Sequence, residues 1–300
     1  MGPPDYLLPT DDFLESFFPH DWGRPLTPEA HRACCALKTC PLAVYTTTMA
    51  ACAAFCLIYA ISEWTCRRMS SRYRSLSIAE QAEWSSRLVS NVHAAAAVWV
   101  ICLSFTSERG YYAIHPIFAH PPRAVLVLCI TTGFFLFDFL LVVRHLHHPG
   151  MGGISILVHH AFYISGIAVV LHFQGCMLFA LITLLGELST PLLNVRWFLK
   201  THGYGSSSMP YLINGTVLVF MFVLVRLILP TAVVIYANLN WRHLKEGIPI
   251  GFEVAAWVVY LFGVVLNSKW ALIMLGRLLK AWRGVDHEDV PSQQSKRKRT

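Results

Sequence analysis

The chain has 300 residues, of which 55% are hydrophobic and only 14% charged, with a formal net charge of +7. That excludes an ordinary soluble domain, whose charged share is about 25%, and defines a polytopic, all-α membrane protein. The positive balance reads as Lys and Arg beside spanning helices, which orient them in the bilayer, and no nucleic-acid partner is expected.

The N-terminal tail, residues 1–41, carries Asp5, Asp11, Asp12, Glu15 and Asp21, with no basic start followed by an apolar run, so no cleavable signal peptide is read there. Asp11 to Phe18 has the pattern of a short helix lying on the membrane surface, against the plainer reading of a poorly ordered tail. Apolar windows near the spanning length of about 20 residues then fall at 42–61, 88–105, 124–143, 154–172, 176–194, 211–236 and 252–275. The short linker inside 154–194 leaves a re-entrant pair open as an alternative to two full crossings. Cys52, Cys56, Cys102 and Cys129 sit inside apolar windows and read as small core residues, not a disulfide framework. Cys66, beside Arg67 and Arg68, is either an acylation site or an inert juxtamembrane thiol.

Seven spans place the termini on opposite sides. Fifteen Lys and Arg then fall on the side of the C-terminus and seven on the other, which predicts a cytosolic C-terminus. In the basic tail, residues 276–300, Lys296 and Lys298 stand five and three positions from the end. That spacing resembles the dilysine signal read by the coat-protein retrieval machinery, and it points to the endoplasmic reticulum membrane. A plain basic tail attracted to anionic lipid is the alternative.

With the helices oriented, a rise of about 1.5 Å per residue converts position to depth below the cytosolic face. His93, Asp138, His159 and His160 all come out about 8 to 9 Å deep, Glu187 about 10 Å, and Asn267 and Lys269 about 9 to 12 Å. Ionisable groups within spans cost roughly 2.5 to 3.5 kcal/mol each, so they are expected to face a partner or a cavity. Ser155, His159, Tyr163 and Gly166 share one helical face, as do Glu187, Thr190, Pro191 and Asn194. The bland reading is that such residues only bond helices together, at about 0.6 kcal/mol per bond. Pro191 should loosen its helix and free a carbonyl, and Arg226 is read as a structural partner of carbonyls near Pro230 or of a carboxylate. His145, His147 and His148 with the His159-His160 pair invite comparison with His-box metal sites, but HLHHP and a lone HH lack the HxxxH or HxxHH spacing, so no metal is expected. No Ser nucleophile elbow, phosphate-cradling glycine loop or CxxC is present.

Together, EWSSRLVSNVHA (Glu83 to Ala94), the Asp138 helix, the His159-His160 pair, GELSTPLLNVRWF (Gly186 to Phe198) and YLING followed by Arg226 resemble the TLC-domain family, over roughly residues 80–275. The resemblance implies a six-helix barrel made of the second to seventh spans, with the 42–61 span outside it. It also implies that His159 and His160 match the histidines with which ceramide synthases transfer an acyl group from acyl-CoA, with Glu187 the nearest match to their acidic partners and Asp138 a further candidate. The sequence departs from the synthases in following the pair with Ala161-Phe162-Tyr163 and in keeping one acidic residue on the next helix.

Three functions stay open. The first is a lipid-handling protein whose cavity, open toward the cytosol and lined by His93, Tyr163, Asn194, Asn267 and Lys269, binds an acyl chain or sphingoid base without a cofactor. The second is an acyltransferase that takes acyl-CoA as substrate, with Arg67, Arg68, Arg72 and Arg74 attracting its phosphates. The third is a non-enzymatic membrane chaperone or cargo receptor.

Overall fold

The computed structural model describes residues 40–114, 116–148, 153–240 and 250–284. The surface helix read at Asp11 to Phe18 and the sorting residues Lys296 and Lys298 lie outside the described residues. Among the described residues, seven helices are long and apolar enough to cross a membrane: α1 (Pro41–Met69), α2 (Ile78–Ser107), α3 (Pro122–Arg144), α4 (Gly153–Phe173), α5 (Met177–Thr201), α6 (Met209–Leu239) and α7 (Ile250–Trp282). The protein is a multi-pass membrane protein, and no strand occurs among the described residues.

Local chemistry sets the helix ends. Proline opens α1 and α3 in the first turn, where its missing N–H costs nothing. At the start of α2, Ser77 and Glu80 cap each other's backbone N–H groups. Between α4 and α5 the chain reverses through Gln174 and Cys176, both in the left-handed region at φ 51° and 59°. The Cys176 N–H is bonded to the Ile117 carbonyl. This tight turn separates two helices of 21 and 25 residues, both long enough to cross fully.

Two helices are irregular at the same level. Pro191 supplies no N–H for the Glu187 carbonyl, and the chain answers with a tighter turn over Leu185–Ser189 in which the Thr190 N–H takes that carbonyl. In α6, Pro230 likewise leaves the Arg226 carbonyl without its usual donor, and Leu224–Ile228 widens into a π-type turn.

Helices α2, α3, α4, α7, α6 and α5 pack in that order around a closed ring, with α1 outside it against α2 and α3. The α1–α3 seam is tight because Gly133 lets the backbones meet: a Cβ there would lie 2.7 Å from the Thr48 carbonyl oxygen and 2.8 Å from the Cys52 nitrogen. The seven cysteines among the described residues are free.

Candidate functional site

The ring encloses a polar layer. On α3, Thr131, Phe134, Phe135 and Asp138 follow i, i+3, i+4, i+7 and present one inward face. His93 of α2 is fully buried against it, stacked on Phe134 with ring centres 4.1 Å apart and hydrogen-bonded through Nε2 to the Thr131 hydroxyl at 3.2 Å. Phe55 of α1 covers its edge at 5.9 Å. His160 stacks on Phe135, and its Nε2 lies 3.6 Å from Asp138 Oδ2. The other Asp138 oxygen accepts a hydrogen bond from the Ser86 hydroxyl at 2.9 Å. His159 packs between Tyr163 and Trp270, at 4.5 and 5.1 Å between ring centres.

Glu187 stands between two cationic or potentially cationic partners, with His93 Nδ1 at 3.9 Å on one side and Arg226 Nη2 at 3.7 Å on the other. The Thr190 hydroxyl donates to it at 2.8 Å. Arg226 is anchored in turn by donating from Nε to the Gly186 carbonyl at 3.1 Å and the Ser189 hydroxyl at 2.9 Å. The two irregular turns thus face each other, one tightened and one widened, and they bring the carboxylate and the guanidinium together. Of the two partners expected for Arg226, the carboxylate is the one observed. Its carbonyl partner is at Gly186, not near Pro230.

The structure brings together His93, Asp138, His159, His160, Tyr163, Glu187 and Asn267. Two other expected residues stand elsewhere. Lys269 is exposed on the outer face of α7, because two residues beyond the buried Asn267 a helix has turned about 200° and matching depth no longer means matching direction. Asn194 is buried but occupied as a tie between α5 and α2: its amide reaches the Arg87 carbonyl, Ser90 and Asn91, and its oxygen accepts from the Arg87 guanidinium at 3.1 Å. Arg87 also pairs with the buried Glu83 at 2.6 Å and lies over the Trp197 ring. The sequence reading missed Thr131, Ser86, Ser189 and Trp270. Thr131 was findable from the four-residue face that ends in Asp138.

Four buried polar atoms of the layer have no hydrogen-bond partner among the described residues: Nδ1 of His93, His159 and His160, and Oδ1 of Asn267. Buried polar atoms are ordinarily bonded, so a cluster of such atoms marks a place for a polar group or water. Imidazole is also the side chain that accepts and returns a proton most readily near neutral pH.

Beyond Tyr163 lies an apolar cavity of about 210 Å³, walled by Gly166, Val170, Thr183, Val234, Ala256 and Trp257, among others. It runs along α4 toward Cys176, away from the face that carries the Ser62–Arg87 segment. It thus extends away from the basic face toward which an opening is expected. There the halves of α5 and α6 that follow Ser189 and precede Leu224 pack on each other, the same part of α6 packs on α7, and Asn194 and Arg87 close the α2–α5 side. Of the basic residues expected to attract phosphates, Arg72 and Arg74 are engaged on backbone carbonyls at Thr201, Arg67 and Arg68, while Arg67 and Arg68 keep exposed side chains.

Seven apolar helices, six of them ringed around a layer of imidazoles and carboxylates with an apolar cavity beneath it, define an integral membrane protein with an internal amphipathic chamber. The TLC domain pattern matches residues 83–276, and the chain belongs to that family. It is similar to TLC domain-containing protein 4 of Xenopus tropicalis, at 33% identity over 218 residues covering 70% of this chain and 80% of the relative. TLC domain-containing protein 4-A of Xenopus laevis is 33% identical over 222 residues, 71% of this chain and 82% of the relative. The human TLC domain-containing protein 4 is 28% identical over 171 residues, 57% of this chain and 64% of the relative. No solved structure matches the chain.

Proposed function

We propose that this protein handles lipid in the endoplasmic reticulum membrane, binding an acyl chain or sphingoid base and adjusting membrane lipid composition, with its C-terminus in the cytosol. The observation that carries this reading is the continuity of the chamber: Tyr163 both touches His159 and lines the apolar cavity. A ligand with a small polar end and an apolar chain fits that pairing of surfaces, because apolar pockets with a few convergent polar groups are the usual form of a small-molecule site. The excess of basic residues on one side and the spacing of Lys296 and Lys298, which would engage coat-protein retrieval machinery, support the orientation and the compartment. Lipidomics on cells lacking the protein, beside cells carrying His159→Ala, tests it. Both should shift the same lipid species, and unchanged profiles in both would overturn the reading.

The placement of His160 against Asp138 favours a second reading, acyl transfer from acyl-CoA. In that reaction a carboxylate-oriented imidazole takes the proton of an amine or alcohol acceptor, the new amide or ester bond forms as the thioester C–S bond breaks, and the proton passes to the departing thiolate. Incubation of the purified protein with labelled acyl-CoA and a sphingoid base decides it. Labelled product that His160→Ala abolishes supports transfer, and no product with any amine or alcohol acceptor removes it.

A further inference from the structure

The cavity is bounded on one side by α4 packed on α7, and on the other by α5 packed on the second half of α6. Gly166 sets the first contact, since a Cβ there would lie 3.1 and 3.3 Å from the two methyl carbons of Val259. Before the π-type turn α6 packs along α7, whereas beyond it α6 turns toward α5 and the two helices part. Across the parting the Tyr260 hydroxyl donates a hydrogen bond to the Thr231 hydroxyl at 3.1 Å. The helix surfaces that flank it outside, at Ile235 and Leu261, are more than half exposed and apolar, as lipid-facing positions are.

Size decides how much of a chain the protein encloses. From Tyr163 to Val170, the stretch of α4 that lines the cavity, is seven residues, or about 10 Å at about 1.5 Å each. An extended chain advances roughly 1.2 Å per bond, so about nine bonds fit between the histidines and the far end. Membrane lipid chains are longer than that.

We infer that a bound lipid keeps its polar end at His159, His160 and Tyr163, runs its first carbons through the cavity, and passes the rest of its tail sideways into the bilayer between α6 and α7. This rests on the lipid-binding reading above and specifies how the site selects: the protein gauges the head and the upper part of a single unbranched chain, and leaves total length unread. Gly166 and Val259 act as the width gauge. The Tyr260–Thr231 bond is the strap over which the tail leaves.

The test uses the full chain in phosphatidylcholine nanodiscs with two photoreactive palmitic acids, one carrying its diazirine near the carboxyl end and one near the methyl end, with labelled residues mapped by mass spectrometry. The carboxyl-end probe is expected on Tyr163, Ile167 or Val259, and the methyl-end probe on Ile235 or Leu261. Gly166→Leu should lower both several fold, and Ala256→Trp, which fills the chamber from the opposite wall, should do the same if the first variant does not fold. Methyl-end labelling inside the barrel with none at the α6–α7 flank overturns the sideways exit while leaving lipid binding intact. Absence of interior labelling by either probe removes the lipid-binding reading itself.

Discussion

Gly133→Ala isolates the α1–α3 seam. The added Cβ would stand 2.7 Å from the Ala51 Cβ, 2.7 Å from the Thr48 carbonyl oxygen and 2.8 Å from the Cys52 nitrogen. Favourable contacts between carbon atoms lie at about 3.5 to 4.0 Å, so α1 must retreat by roughly 0.8 Å or more, and two of the three obstructing atoms are backbone that cannot rotate away. A gap of that size forfeits a quarter to a half of the dispersion energy along the seam, and overpacking of this kind costs about 1 to 3 kcal/mol. Alanine recovers up to about 1 kcal/mol of helix propensity over glycine, which leaves a net loss near 1 kcal/mol at the middle of that range. The midpoint of thermal unfolding in detergent, followed by tryptophan fluorescence, should therefore fall by about 2 to 4 °C. Maleimide labelling of Cys52, now partly buried beside the seam, should also accelerate. Gly276→Ala, where a Cβ would meet nothing within 4 Å, is the control and should be neutral or slightly stabilising. A Gly133→Ala protein that melts with the wild type and labels no faster would refute the reasoning.

Arg226→Leu leaves Glu187 with only His93 and the Thr190 hydroxyl beside it, and stripping a part-buried charged group of one partner costs about 1 to 3 kcal/mol. The double change with Glu187→Gln should recover most of that in a thermal double-mutant cycle, and strictly additive losses would show that the two side chains are not coupled. Asn194→Ala takes the side-chain partner from Arg87 Nη1 and from the Arg87 carbonyl, so a loss of about 1 to 3 kcal/mol is expected. Asn267→Ala, whose Oδ1 has no partner among the described residues, should lose less in the same melt, and equal losses would contradict the assignment of Asn194 as the tie. Trp84→Ala removes a ring set edge-on to Tyr73, Trp197 and Phe198, at a cost of about 3 to 5 kcal/mol. Faster proteolysis within the Ser70 to Ser77 loop is the readout, and an unchanged digestion pattern would count against it.

The spans were legible because a bilayer demands about 20 apolar residues in a row, and few other contexts do. Depth was legible too, since residues counted from a helix end convert to ångströms, and His93, Asp138, His159, His160 and Glu187 do converge. Direction around the axis was harder. Asn267 and Lys269 differ by little in depth yet face opposite ways, and Asn194 lies on the right face but is consumed by Arg87. Pro191 announced a break in α5, whereas nothing short of three-dimensional packing said that Pro230 would widen α6 rather than kink it. The cavity's position followed from that widening, because α6 and α7 part only beyond it, and so a chamber read as opening on the basic face lies on the other side of the histidines.

Phe55 has a consequence for where the unit of folding ends. The family pattern covers residues 83–276, while the aromatic lid on His93 comes from a helix that finishes at Met69. An excised fragment starting at Glu83 would present the His93 edge and the Gly133 groove directly to lipid, so the physical domain is seven helices even though the recognisable one is six.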